Sequence, residues 1–195
     1  MVKIGLIVEG NSELIVYKSP SFIKVLDGFN LSLLKVVTPG GRPNFFRKEQ
    51  IEKYCNELFD EGADKVFLII DKETGNASLS EIKEKIYNCN TENQILIIQV
   101  MTLESWFLAD SVALSKAFKK KFSFDYPEKV DNPYLVLKNE FISKTGIGLG
   151  PKESTMPAQK MVRKFGFSIE NVAKHPNCPS AKYFLKKLSE LNTNP

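Results

Sequence analysis

The stretch Lys3–Glu13, KIGLIVEGNSE, carries the reading of the fold. Ile4–Val8 is a near-continuous apolar run that stops on a carboxylate, Glu9, and a glycine, Gly10. A run without polar alternation is what a strand covered on both faces requires. Asn11 or Ser12 then offers a cap for a helix, with Glu13 in the first turn, where the helix dipole favours negative charge. Ending a buried strand on a carboxylate is costly unless something neutralises it. The apolar run predicts the sheet, and Glu9 raises the question of what it faces.

Outward from this stretch, the strand–helix alternation continues. The first helix is predicted to run to Leu26, with a break around Ser19-Pro20. A second strand, Ser32–Val37, ends in the loop Thr38-Pro-Gly-Gly41. Phe45–Phe59 reads as an amphipathic helix closed by Glu61-Gly62. The third strand, Lys65–Ile70, ends on Asp71, and the Gly75-Asn76 turn leads to a helix over Leu79–Tyr87. Ile95–Val100 is the fourth strand. The prediction is an α/β fold: a mostly parallel sheet of about four strands, flanked by helices and joined by right-handed crossovers. After Asp110 the pattern turns helical, over Val112–Lys120, Tyr134–Ser143, Met156–Phe165 and Pro179–Leu191. Residues 1–110 are therefore expected to form the α/β core and 111–195 a helical extension packed on it.

The 195 residues, 43% hydrophobic and 26% charged, match an ordinary globular protein. The longest apolar runs, Val66–Ile70 and (apart from Gln99) Ile95–Val100, are too short for a bilayer, and the N-terminus reads as a strand rather than a signal peptide. Cys55, Cys89 and Cys178 are odd in number and widely spaced, which predicts buried thiols in a cytoplasmic protein. His175 is the sole histidine, so any two-histidine mechanism is excluded. Residues 1–110 hold 12 Lys+Arg against 16 Asp+Glu, whereas 111–195 hold 15 against 7. An acidic half joined to a basic half suggests an anionic partner for the second.

In a parallel sheet the carboxyl ends of the strands share one edge, where ligands bind. Glu9 ends the first strand, and Asp71 and Glu73 end the third, where alternation can aim both the same way. Glu104 follows the fourth. Carboxylates this close raise each other's pKa unless a cation lies among them. An oxygen-only set fits Mg²⁺ or Mn²⁺ rather than zinc, and such an ion neutralises charge developing on a phosphodiester. Each residue also has a plainer role. Glu9 can be a dipole-stabilised carboxylate, Asp71 and Glu73 turn residues, and Trp106 a core side chain rather than a base-stacking platform.

The ordered set of motifs resembles the TOPRIM domain shared by topoisomerases, primases and OLD-type nucleases. Leu6–Gly10 (LIVEG) is similar to its strand ending in Glu-Gly, and Leu68–Gly75 (LIIDKETG) to its strand ending in Asp-x-Asp, with Glu73 in the last acidic position. Glu104–Asp110 (ESWFLAD), Lys152 and Ser180–Phe184 (SAKYF) resemble a branch of small TOPRIM-like proteins associated with phage-defence loci. The resemblance implies a metal site at Glu9, Asp71 and Glu73.

The basic half supplies candidate phosphate contacts. These are Lys119, Lys120 and Lys121 at a helix end, Lys160, Arg163 and Lys164 on one helix, and Lys182, Lys186 and Lys187 on the last. Solvated helix faces are the plainer account of all of them. Lys152, after Gly148-Leu-Gly-Pro151, is positioned in sequence to steady phosphate charge. The expected function is divalent-metal-dependent phosphodiester hydrolysis on DNA or RNA. Glu9 would act as ligand or general base, Asp71 and Glu73 as ligands, Glu104 as an auxiliary ligand, and Lys152 at the phosphate. The alternative is a non-catalytic nucleic-acid-binding or defence-complex subunit with a vestigial site. A nucleotide-binding enzyme of another class ranks third, because neither Gly40-Gly41 nor Gly146–Gly150 forms a phosphate-cradling glycine loop.

Overall fold

The computed structural model describes residues 1–73, 78–88 and 92–193. The expected Gly75-Asn76 turn and Cys89 lie outside these, as do Thr74 and Gly75 of the LIIDKETG motif. Four strands, β1 (Val2–Val8), β2 (Leu31–Val37), β3 (Lys65–Asp71) and β4 (Gln94–Gln99), form one all-parallel sheet in the order β2-β1-β3-β4. The central strands β1 and β3 are the near-continuous apolar runs, buried on both faces, while β2 and β4 at the edges are only half-buried.

The helices follow the sequence with informative departures. The Ser19-Pro20 break is present: α1 spans Asn11–Tyr17 and α2 spans Pro20–Gly28, with Ser19 Oγ accepting from Phe22 N. The N-cap of α1 is Gly10, without a side-chain cap, so neither Asn11 nor Ser12 caps it. The helix expected over Phe45–Phe59 is two: α3 (Arg42–Phe45) and α4 (Lys48–Asp60). Pro43 suits the first turn of α3, so a short helix forms directly after the glycine loop. The next helix, α5, covers Leu79–Lys85, two residues shorter than predicted.

In the second half α6 spans Leu103–Ala109, α7 Ser111–Phe118, α8 Pro133–Thr145 and α9 Met156–Gln159. The last of these runs into a π-helical turn, Lys160–Phe165. Two further helices complete the extension, α10 (Ile169–Ala173) and α11 (Pro179–Glu190). No helix among the described residues is long and apolar enough to cross a membrane.

Strand alternation divides the core into two clusters. Ile4, Leu6, Val8, Phe67 and Ile69 face the cluster built from α1, α2, α6 and α11. Ile7, Val66, Leu68 and Ile70 face α4 and α5. Gly5 belongs to this second face, and a Cβ there would meet Leu58 at 2.9 Å, so glycine lets α4 approach β1. Phe184 of α11 reaches across the first cluster, its ring centroid 5.9–6.1 Å from those of Tyr17, Phe22, Phe67 and Trp106.

Most of the motif residues in ESWFLAD and SAKYF are therefore architectural. Trp106 is fully buried, stacks on Phe184 and donates its Nε1–H to Ser180 Oγ at 2.8 Å. Ser180 in turn donates its hydroxyl and, at 3.1 Å, its backbone N–H to buried Glu128. Asp110 caps α7 through Ala113 N and also accepts from Ser168 N, both at 2.9 Å. Cys178 donates to the same Glu128, and burial, reinforced by that carboxylate, pushes its thiol well above the usual range, so it stays protonated. Cys55 is buried as expected. His175 is a packed residue whose Nε2 is 2.9 Å from Phe124 O. Ser180→Ala strands Trp106 Nε1 and removes the hydroxyl donor to Glu128, which keeps Cys178 and the backbone N–H of residue 180, and is expected to cost about 1–3 kcal/mol in urea unfolding. An unchanged midpoint would remove this lock between extension and core.

Candidate functional site

The strand order reverses direction between β1 and β3: the chain passes from β1 outward to β2, then back across to β3. That reversal opens a crevice beyond the carboxyl ends of the two central strands, the usual ligand position in open parallel sheets. Glu9 follows β1 and Asp71 ends β3, so both acids lie at this crevice.

Alternation sends them to different sides. Asp71, in phase with Phe67 and Ile69, points toward α1 and α6. Its Oδ2 accepts from Leu103 N at 3.3 Å, while the buried Oδ1 has no hydrogen-bond partner among the described residues. Burial pushes the Asp71 carboxyl well above its ordinary range, with the charges of Glu13, Glu9 and Glu104 adding to the effect. Glu9, in phase with Gly5 and Ile7, turns toward the α3–α4 side. There its Oε2 takes Asp71 N at 3.3 Å and faces Arg42 Nη1 at 3.4 Å. Burial raises its pKa, and Glu73 adds to this, against the opposing pull of Arg42.

Two residues at this edge escaped the sequence reading. Glu13, placed by sequence only as a helix-start acid, is 7% exposed, and burial raises its pKa to about 7, with Glu9 and Glu104 adding to it. A Cβ on Gly10 would stand 3.1 Å from Glu13 Oε2, so the glycine leaves room for this carboxylate. Arg42 follows the Pro39-Gly40-Gly41 turn, in which both glycines have positive φ. Its guanidinium donates to the carbonyls of Asp71 and Lys72 and lies 3.4 Å from Glu73 as well as from Glu9. The signal for Arg42 was its place after β2, at the same edge as the carboxylates.

Glu104, in the first turn of α6, accepts from Thr102 Oγ1 at 2.7 Å and contributes charge to the cluster. Glu73 departs from expectation. Its φ of +56° ends the strand geometry, and it is exposed beside Arg42, not buried alongside Asp71. Lys152 does reach this edge: with Glu73, Thr102 and Tyr134 it lines a cavity of about 270 Å³.

The oxygen-only donors and the orphaned Asp71 Oδ1 fit a hard divalent cation. Their spacing does not yet enclose one. Among the described residues no three His, Cys, Asp or Glu side chains converge on a single metal position. Arg42 instead supplies the positive charge on the Glu9 side.

The lysines divide. Lys119, Lys160 and Lys164 line a common cavity of about 570 Å³. Lys119 itself is the left-handed C-cap of α7, which ends at Phe118 and not at Lys120 as expected, so Lys120 and Lys121 both lie beyond it. Arg163 is exposed, outside that cavity. On α11, Lys182 donates to Pro176 O, and Lys186 and Lys187 pair with Glu190. No family model, curated protein or solved structure matches the chain.

Proposed function

We propose that this protein hydrolyses phosphodiester bonds in nucleic acid with a divalent metal, Mg²⁺ or Mn²⁺, held at the β1/β3 crevice. The observation that carries the reading is the buried Asp71 Oδ1, without a hydrogen-bond partner among the described residues and set among carboxylates that raise its pKa. Such a group is costly to retain unless a cation completes it. Asp71, Glu13 and Glu104 would hold the ion on one side and Glu9 on the other. The ion would supply charge neutralisation at the phosphate. Arg42 shields Glu9 and Glu73 in the meantime, and Lys152 beside Glu73 is placed to steady a phosphate oxygen. The similarity of LIVEG and LIIDKE to TOPRIM motifs accords with this reading.

Cleavage of labelled DNA and RNA with Mn²⁺, by wild type and by Glu9→Gln, tests it. The variant is expected to lose at least about tenfold in rate. Normal cleavage by Glu9→Gln would sink the assignment of Glu9. A second reading is a nucleic-acid-binding subunit with a vestigial metal site. It is favoured by Arg42 standing at Glu9 and by the lack of a converged carboxylate triad among the described residues. Salt-sensitive binding without turnover under any metal would select it.

A further inference from the structure

Three neighbouring cavities, lined mostly by the helical half, share lining residues each with the next. The one beside the acidic edge, at Glu73, shares Tyr134 and Lys152 with a second of about 590 Å³. The second shares Gly148 and Lys160 with the third, of about 570 Å³, between α7, α8 and the π-helical turn. Seven lysines line this course: Lys116, Lys119, Lys144, Lys160 and Lys164 in the far cavity, then Lys138 and Lys152 toward the crevice. Three carboxylates accompany them, and two of these, Glu73 and Asp131, belong to the cavity at the acidic end.

The lysines are mostly uncommitted. Lys144 pairs with Glu140, and Lys160 donates to Gly148 O. Among the described residues Lys116, Lys119, Lys138, Lys152 and Lys164 have no carboxylate within 4 Å. Like charges brought together without partners are unfavourable unless a polyanion joins them. Of the three aromatic residues of the far cavity, Phe118 and Phe141 are buried, and the half-buried Phe165 already packs against Phe141 and Lys164. The course therefore recognises a phosphate backbone rather than bases.

We infer that these neighbouring cavities form the track of a single-stranded nucleic acid, leading its backbone from Lys116 and Lys164 past Lys160 and Lys152 to the carboxylates. Concave cavities of this size accept one flexible backbone, whereas a duplex presents two on a rigid cylinder. The inference names the substrate of the proposed hydrolytic site and rests on that reading for the direction of the path. Binding along the lysines stands apart from cleavage.

The test is fluorescence anisotropy of a labelled 20-nucleotide strand with the full chain in EDTA, at several salt concentrations. The triple variant Lys116→Glu/Lys119→Glu/Lys164→Glu is expected to bind at least about tenfold more weakly. Its log–log salt slope should be shallower by about 2, at about 0.7 for each phosphate no longer neutralised. Lys24→Glu/Lys83→Glu/Lys174→Glu makes the same change in net charge on exposed lysines off the track, and should cost less than about twofold. A thermal melt of each variant, with a Lys→Gln version of the first, separates misfolding from weakened phosphate binding. Equal losses in the two triple variants, absent salt dependence, or tighter binding of the duplex would overturn the inference. Track-dependent binding without metal-dependent cleavage would uphold it while removing the hydrolytic reading. Cleavage with unimpaired binding by the first variant would do the reverse.

Discussion

Asp71→Asn is expected to reduce metal-dependent cleavage by about 10²–10³-fold while making the metal-free protein more stable at pH 8. The two effects share one cause. Asp71 is buried, its Oδ1 has no hydrogen-bond partner among the described residues, and Glu13, Glu9 and Glu104 all oppose its ionisation. A metal would turn that repulsion into attraction, so the carboxylate would be needed for ion binding and is unfavourable without it. Asparagine keeps the shape and the acceptor for Leu103 N, removes the charge, and offers an amide donor to the surrounding acids. Thermal melts in EDTA should place the variant above wild type at pH 8, with the gap closing toward pH 4. Calorimetry with Mn²⁺ should show weaker ion binding by the variant. A variant that cleaves normally, or is less stable at pH 8, would show that Asp71 is an ordinary structural carboxylate.

The second large effect is on pH dependence. Glu13 has an ordinary value of 4.5 and is raised to about 7 in the folded chain, chiefly by burial. The folded state thus holds its proton more tightly than the unfolded chain. The stability this group contributes is complete below pH 4.5 and is lost as pH rises through about 7. For Glu13 alone the loss is about 3 kcal/mol, or about 6–12 °C in Tm for a chain of this size. Asp71, Glu9 and Asp110 are shifted in the same direction and add to it. Melts of metal-free protein between pH 4.5 and 8 should show this fall, and Mn²⁺ at pH 8 should restore much of it. Glu13→Gln should flatten the profile. A flat profile in the wild type would mean that water or Arg42 already neutralises the cluster.

The sheet was legible because two central strands buried on both faces must be apolar throughout, and Ile4–Val8 and Val66–Ile70 are. Glu9 and Asp71 were legible as strand-end acids for the same reason. Which side each faces was harder to read. Alternation separates them across the sheet, and the positive φ at Glu73 turns that residue out of phase with Asp71. Glu13 and Arg42 went unread because their roles depend on strand order. The order β2-β1-β3 is what sets the end of β3, with Asp71, beside the start of α1 and the loop after β2. Helix α10, five residues long, is held by burial of Ile169 and Val172 more than by local preference. A π-helical turn such as Lys160–Phe165 leaves little trace in periodicity. The lysines were visible as a basic half, but their division into cavity-lining and helix-surface groups depends on tertiary placement.

The ring of Phe184 has a consequence for how the chain is made. It lies among Tyr17, Phe22, Phe67 and Trp106, so the first cluster of the core is filled by residues far apart in the sequence. During synthesis the N-terminal strands emerge first, yet their apolar face cannot be sealed until Pro179–Glu190 has left the ribosome. The nascent protein must keep that face from other partners until α11 has been added. A stalled chain released before α11 would carry an open hydrophobic surface and would be a natural client for chaperones.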